Sequence, residues 1–242
     1  MRAGVTIVTA LVATLDLACV SGPQLRDPQA RIAAKRLAAL PTQGRIFVVG
    51  PRGGRDADKE LSATVRKNVD DSINYRVHQH GGHVFGNAAT AKLEHFIEFH
   101  NWSWRAMHEI VAERLGKVPA AHRSVAEWRF PGDLKSWRPV LSSDFLLVSF
   151  VLYVWRPPEL QWPSLAVAIA EMAKESKDPP DSMSITGAGS RMIACVVAID
   201  DGHIVWCNFI PNNSVTMQER PAAQSAVDVL LSDMLRLADG VP

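Results

Sequence analysis

The chain has 242 residues, 47% of them hydrophobic, which suits one domain with a full core and argues against disorder. A net charge of +1, with both signs mixed along the sequence, is a poor footprint for nucleic acid, whose phosphates call for a clustered basic surface. The densest basic stretch, Arg26 to Arg36, reads as a solvated helical arm.

Arg2 followed by the apolar run Ala3 to Leu15, and then by small residues around Cys19, has the order of a secretory signal peptide. Residues 1–22 are therefore expected to be an export leader. The run is too short to cross a bilayer core, which needs about 20 apolar residues. Leu17-Ala18-Cys19 resembles the bacterial lipoprotein box, whose cysteine receives diacylglycerol, and this makes Cys19 the candidate lipidation site. Asp16 stands where that box carries an aliphatic residue, so cleavage after Gly22 by ordinary signal peptidase stays open as the alternative.

Residues 23–43 read as a tether with a helix at 29–39, and residues 44–242 as a single α/β domain. The run Arg45–Gly50 is a buried strand. Leu61, Val65, Val69, Ile73 and Val77 make a four-residue helical stripe that ends at Gly81-Gly82, and His83-Val84-Phe85 is a short strand. A helical insertion fills about 87–143. Its amphipathic part, 88–116, carries Leu93, Phe96, Ile97, Trp104, Met107, Val111 and Leu115 at helical spacings, with a break near Asn101. Asp144–Trp155 is a second buried strand, and 162–177 looks helical. A hairpin closes on the three-residue loop Asp200-Asp201-Gly202, and a last helix runs from Pro221 to about Leu237. The expected fold is α/β (α+β): a mixed sheet with helices packed on it, ending in an antiparallel hairpin and a C-terminal helix.

These pieces, in this order, resemble the TolB amino-terminal-domain and CsgG-like periplasmic lipoproteins. The matching parts are Arg45–Gly50, the helix ending at Gly81, Asp144–Val154, the turn Asp200-Asp201-Gly202-His203-Ile204-Val205-Trp206, and the closing helix Ala222–Leu235. The resemblance implies a non-enzymatic envelope component that docks to other proteins or self-associates. It implies no catalytic residues and no cofactor. The expected location is the periplasm, on the outer membrane through a lipid anchor.

Chemistry-bearing groups are few. His78, His80 and His83 are the one metal-type cluster, set against the plainer reading of a helix end whose histidines complement its exposed carbonyls. A metal-dependent enzyme needs three of these, or of His95, His100 and His108, to meet in a pocket with an acid. The other rival is a small-ligand binding module with a deep apolar pocket. A three-residue loop places Cys195 opposite Cys207, within reach of a disulfide, while two buried free thiols are the simpler reading. Trp102, Trp104, Trp128 and Trp137 mark 100–140 as the candidate partner surface, since aromatics are enriched where proteins dock.

Overall fold

A computed structural model describes residues 25–26, 32, 36–49, 55–86, 90–114, 127–155, 189–213 and 216–238. The leader with Cys19, most of the first half of the tether, and the helix expected at 162–177 lie outside these residues.

The strands are β1 (Leu25–Arg26), β2 (Leu37–Ala39), β3 (Gln43–Val49), β4 (Arg55–Ala57), β5 (His83–Val84), β6 (Phe145–Trp155), β7 (Gly189–Ala198) and β8 (Ile204–Asn213). The helices are α1 (Lys59–Gln79), α2 (Phe96–Arg114), the short α3 (Arg138–Leu141), which follows a 3-10 turn at Lys135–Trp137, and α4 (Arg220–Ala238). The eight strands make one mixed sheet in the order β1-β8-β7-β6-β2-β5, with β3 also on β6 and β4 on β3. β2, β3 and β5 join in parallel, and β1, β4, β7 and β8 antiparallel. The mixed α/β architecture expected from the sequence is the one observed.

β6 is the spine, paired on both edges and buried from Leu146 to Val154, which is why its sequence is a continuous apolar run. β2 and β3 lie end to end along one side of it. Ala39 faces Leu147 and Gln43 faces Phe150, so four steps on one strand match three on the other. The extra residue is a bulge at Leu40–Thr42, placed at Pro41, which has no N–H to give to a ladder. Residues 37–43, expected in the tether and partly helical, thus belong to the sheet. Leu37, Ala38, Ala39 and Leu40 are all buried, and two-sided burial between β5 and β6 outweighs the helix preference of alanine.

α1 starts at Asp58, whose carboxylate accepts from Leu61 N–H at 2.8 Å, as an N-cap should. It ends in a Schellman turn: Gly82 N–H donates to Val77 O and Gly81 N–H to His78 O, with Gly81 at φ 79°. Val65, Val69, Ile73 and Val77 are buried, each contributing about 2 kcal/mol relative to exposure. They pack with Val227, Leu230, Leu231 and Met234 of α4 on one face of the sheet. The other face carries α2 and the 127–141 segment. α2 is continuous through Asn101. Ile97, expected on its buried stripe, is 73% exposed; Phe99 and Ile110 are buried there instead.

The hairpin differs from expectation by one residue. Ala198, not Ile199, pairs with His203, so the loop is Ile199-Asp200-Asp201-Gly202. Gly202 sits at φ 68°, and a Cβ there would meet the Phe130 backbone at 3.1 Å, so both conformation and space call for glycine. The pairing then runs Val197 to Ile204 and Val196 to Trp206, leaving Val205 as a bulge. Val205 and Trp206 consequently share the α1/α4 face, although adjacent strand residues normally alternate.

Candidate functional site

The structure keeps the three clustered histidines apart from any ligand set. His78 lies exposed in the last turn of α1, His80 is its C-cap, and His83 is exposed in β5 beyond the Schellman turn. Among the described residues, no three or more His, Cys, Asp or Glu side chains are grouped so as to hold a metal ion. His95, just before α2, and the two histidines within it meet different neighbours. His95 faces Glu98 at 3.9 Å, His100 lies between the rings of Phe96 and Phe150, and His108 packs on Trp104.

Of the four tryptophans read as a partner surface, Trp137 is core, and Trp102, Trp104 and Trp128 are partly buried against it. Trp137 is 1% exposed and its Nε1 donates to Glu94 O at 2.7 Å. Phe99 meets Trp137 and Phe130 edge-on at 5.1 and 5.3 Å, and Trp102 packs against both Phe99 and Phe130. Trp104 lies 4.7 Å from Phe150, and Trp128 packs on the same cluster. Together these rings fill the space between α2 and the sheet. The sequence placed them in one region but could not show that 128–137 folds back beneath Phe99.

Cys195 and Cys207 stand directly opposite each other, Cα to Cα 4.1 Å, and are joined as a disulfide in place of the free thiols. The short Cα spacing fits a non-hydrogen-bonded antiparallel pair, the position that admits a cross-strand bond. Both residues are buried, under the aromatic layer.

Two polar arrangements join residues far apart in sequence. Asp144, immediately before β6, takes Arg36 and Arg138, the latter at 3.0 Å. Arg138 also reaches Asp200 at 2.7 Å, and Asp201 pairs with His203 and, at 3.6 Å, Arg129. Burial works against the charge on Asp201, but the hydrogen bonds and charge of His203, with Arg129, hold its carboxyl below the usual range. These pairs tie the hairpin tip to α3 and the 127–130 segment. At the other bulge, Thr42 N–H donates to Asp70 Oδ1 at 2.7 Å, and the Thr42 hydroxyl pairs with Ser149 at 2.8 Å. Burial pushes the Asp70 carboxyl above its usual range, more than the Thr42 hydrogen bonds lower it.

Two open clefts border the core. One, of about 640 Å³, lies between α1 and β5 and is lined by Asp71, Tyr75, His78, His83, Phe85 and Arg220. The other, of about 370 Å³, gathers Glu94, His95, Glu98, Asp133 and Ser136 over Phe130. His95 and Ser136 share no hydrogen bond among the described residues, so the nucleophile–base contact that activates a serine is not formed there. No helix among the described residues is long and apolar enough to cross a membrane.

No family model matches the chain. No curated protein matches it either. Among solved structures it is similar to a chain of the PelC dodecamer from Paraburkholderia phytofirmans, at 8% identity and a TM-score of 0.38, over 88% of this chain and 95% of that one. It is also similar to a DUF4136 family protein from Bacteroides thetaiotaomicron, at 8% identity and a TM-score of 0.31, with the same coverage. Both likenesses are too distant to assign an activity. What fold and geometry define is a mixed α/β sandwich with a disulfide-bonded central hairpin and no metal-binding cluster among the described residues.

Proposed function

We propose that this is an exported envelope protein, held at the membrane by diacylglycerol on Cys19, that serves as a non-enzymatic accessory or scaffold component of an envelope complex. The observation that carries the reading is the buried Cys195–Cys207 disulfide in a chain that opens with a secretory-type leader ending near Cys19. Structural disulfides persist in oxidising compartments such as the periplasm. A bond in the centre of the sheet is therefore at home in a protein that folds after export. The resemblance to TolB amino-terminal-domain and CsgG-like lipoproteins supports the same location and a role in docking or self-association.

The test has two arms. In the first, the parent chain sediments with membranes while Cys19→Ser is released. A variant that fractionates like the parent refutes the anchor and leaves export standing. In the second, the intact protein is crosslinked in cells and purified, with metal analysis alongside. Crosslinks to envelope proteins or to itself are expected. Stoichiometric zinc without any crosslinked partner would overturn the scaffold reading in favour of the histidine-based enzyme.

A further inference from the structure

Only five residues separate Cys19 from Leu25, the first residue of β1. Six peptide steps span at most about 22 Å however the chain is shaped. β1 is antiparallel to β8, with Leu25 opposite Cys207 and Arg26 opposite Trp206, so the chain enters β1 from the side of Asn213. The other end of the β8 edge is already taken. Ile204 N–H donates to Trp128 O at 3.0 Å, and Phe130 N–H to Gly202 O at 2.9 Å. At the far edge of the sheet, β5 lies five strand spacings from β1, about 24 Å away. Gln79 closes α1 near that edge.

We propose that the β1–β8 edge, at its Asn213 end, rests against the phospholipid surface that anchors Cys19, while β5 and the C-terminal turn of α1 face away from it. The inference rests on the reading that Cys19 carries diacylglycerol. Two acyl chains hold their cysteine at headgroup level. The reach from that cysteine to β1 is shorter than the sheet is wide, so the domain cannot turn β5 to the bilayer with β1 uppermost. The cleft beside Tyr75, His78 and His83 is then on the membrane-distal side, open to other proteins.

With Cys195 and Cys207 bonded and Cys19 acylated, an added cysteine is the single free thiol and takes one fluorophore. The full-length acylated chain, labelled as Asn212→Cys or Gln79→Cys, is reconstituted into phosphatidylethanolamine–phosphatidylglycerol vesicles containing a headgroup-nitroxide lipid. The Asn212→Cys label is expected to lose most of its emission and the Gln79→Cys label to keep nearly all of it. A flexible Gly/Ser insert of about 20 residues after Gln24, which leaves the folded domain untouched, is expected to erase the difference. Equal quenching at the two positions without the insert, or stronger quenching at position 79, overturns the orientation. Intact mass separates the two readings. Diacylglycerol on Cys19 with the wrong quenching pattern sinks the orientation alone, whereas no acyl mass on Cys19 sinks the anchor and the orientation falls with it.

Discussion

The two faces of the sheet are built from different materials. The α1/α4 face is aliphatic, with Val65, Val69, Ile73, Val77, Leu230 and Leu231 interlocking at helical spacing over alternate strand residues. The α2 face is aromatic, its centre filled by Phe99, Trp137, Phe130 and Phe150, with Trp102 and Trp104 partly buried around them. Aliphatic stripes come from single helices and can be assembled one turn at a time. The aromatic cluster forms only when α2, residues 128–137 and the sheet are all in place. One layer is locally encoded; the other exists only as a long-range product.

If that division is physical, the largest loss comes from the aromatic side. Trp137→Ala is expected to cost about 4 kcal/mol, since it opens a large cavity and removes the donor to Glu94 O. Leu230→Ala on the aliphatic side is expected to cost about 3 kcal/mol. Denaturant melts of both single variants and the double should add to within about 0.5 kcal/mol. A strong departure from additivity would mean that the sheet does not insulate its faces. Replacing both Cys195 and Cys207 by alanine, under the aromatic layer, is expected to cost about 3 kcal/mol for a loop of this length. In the parent, reducing agent in the melt should reproduce that loss.

A smaller effect separates Trp137 and Trp206, the two fully buried tryptophans among the described residues. Trp206, which with Tyr153 is buried on the mainly aliphatic face, is 0% exposed and its Nε1 has no hydrogen-bond partner among the described residues. Trp206→Phe is therefore expected to be milder than Trp137→Phe by about 1 kcal/mol, because only the latter removes a donor from a hydrogen bond that is formed, to the part-buried Glu94 O. Equal losses in urea midpoints would contradict this. The smallest effect is a pair of opposed pH slopes. The raised carboxyl of Asp70 favours the folded state when protonated, so its contribution is lost as pH rises from the usual 3.8 through the raised value. Asp70→Asn, which keeps an acceptor for Thr42, should raise stability at neutral pH and flatten that slope. The lowered carboxyl of Asp201 acts oppositely: its stabilisation is present above 3.8 and lost as pH falls through the folded value. Asp201→Asn should weaken the protein at neutral pH and reduce its acid sensitivity. Thermal melts across pH check both.

What the sequence revealed follows the same division. The α1 stripe with its glycine stop, the apolar spine β6, the hairpin and α4 each carry their signal within one segment, and each is where its pattern places it, except that the hairpin loop is one residue longer. β2 was hidden because Leu37–Leu40 is short and alanine-rich, and only pairing with β5 and β6 makes it a strand. The burial of Trp137 was hidden because exposure is decided by what folds over a side chain, not by its own spacing. Among the candidate site residues, Cys195 and Cys207 were placed opposite each other by counting along the strands. The Arg36, Arg138 and Asp144 group was not foreseen, because its members come from separate elements.

The bulge at Val205 also has a bearing on how this hairpin can change over time. A three-residue loop without the bulge and the four-residue loop with it bring Cys195 to the same partner, because one irregularity cancels the other. The cross-link is therefore indifferent to the form of the tip. Ile204 and Val205, which lie against the α2 side and the α1/α4 side in the observed arrangement, would exchange sides between the two. The tip can gain or lose a residue by drift and the strands beyond Trp206 keep their alignment, so that variation at the exposed end of the hairpin is uncoupled from the covalent joint behind it.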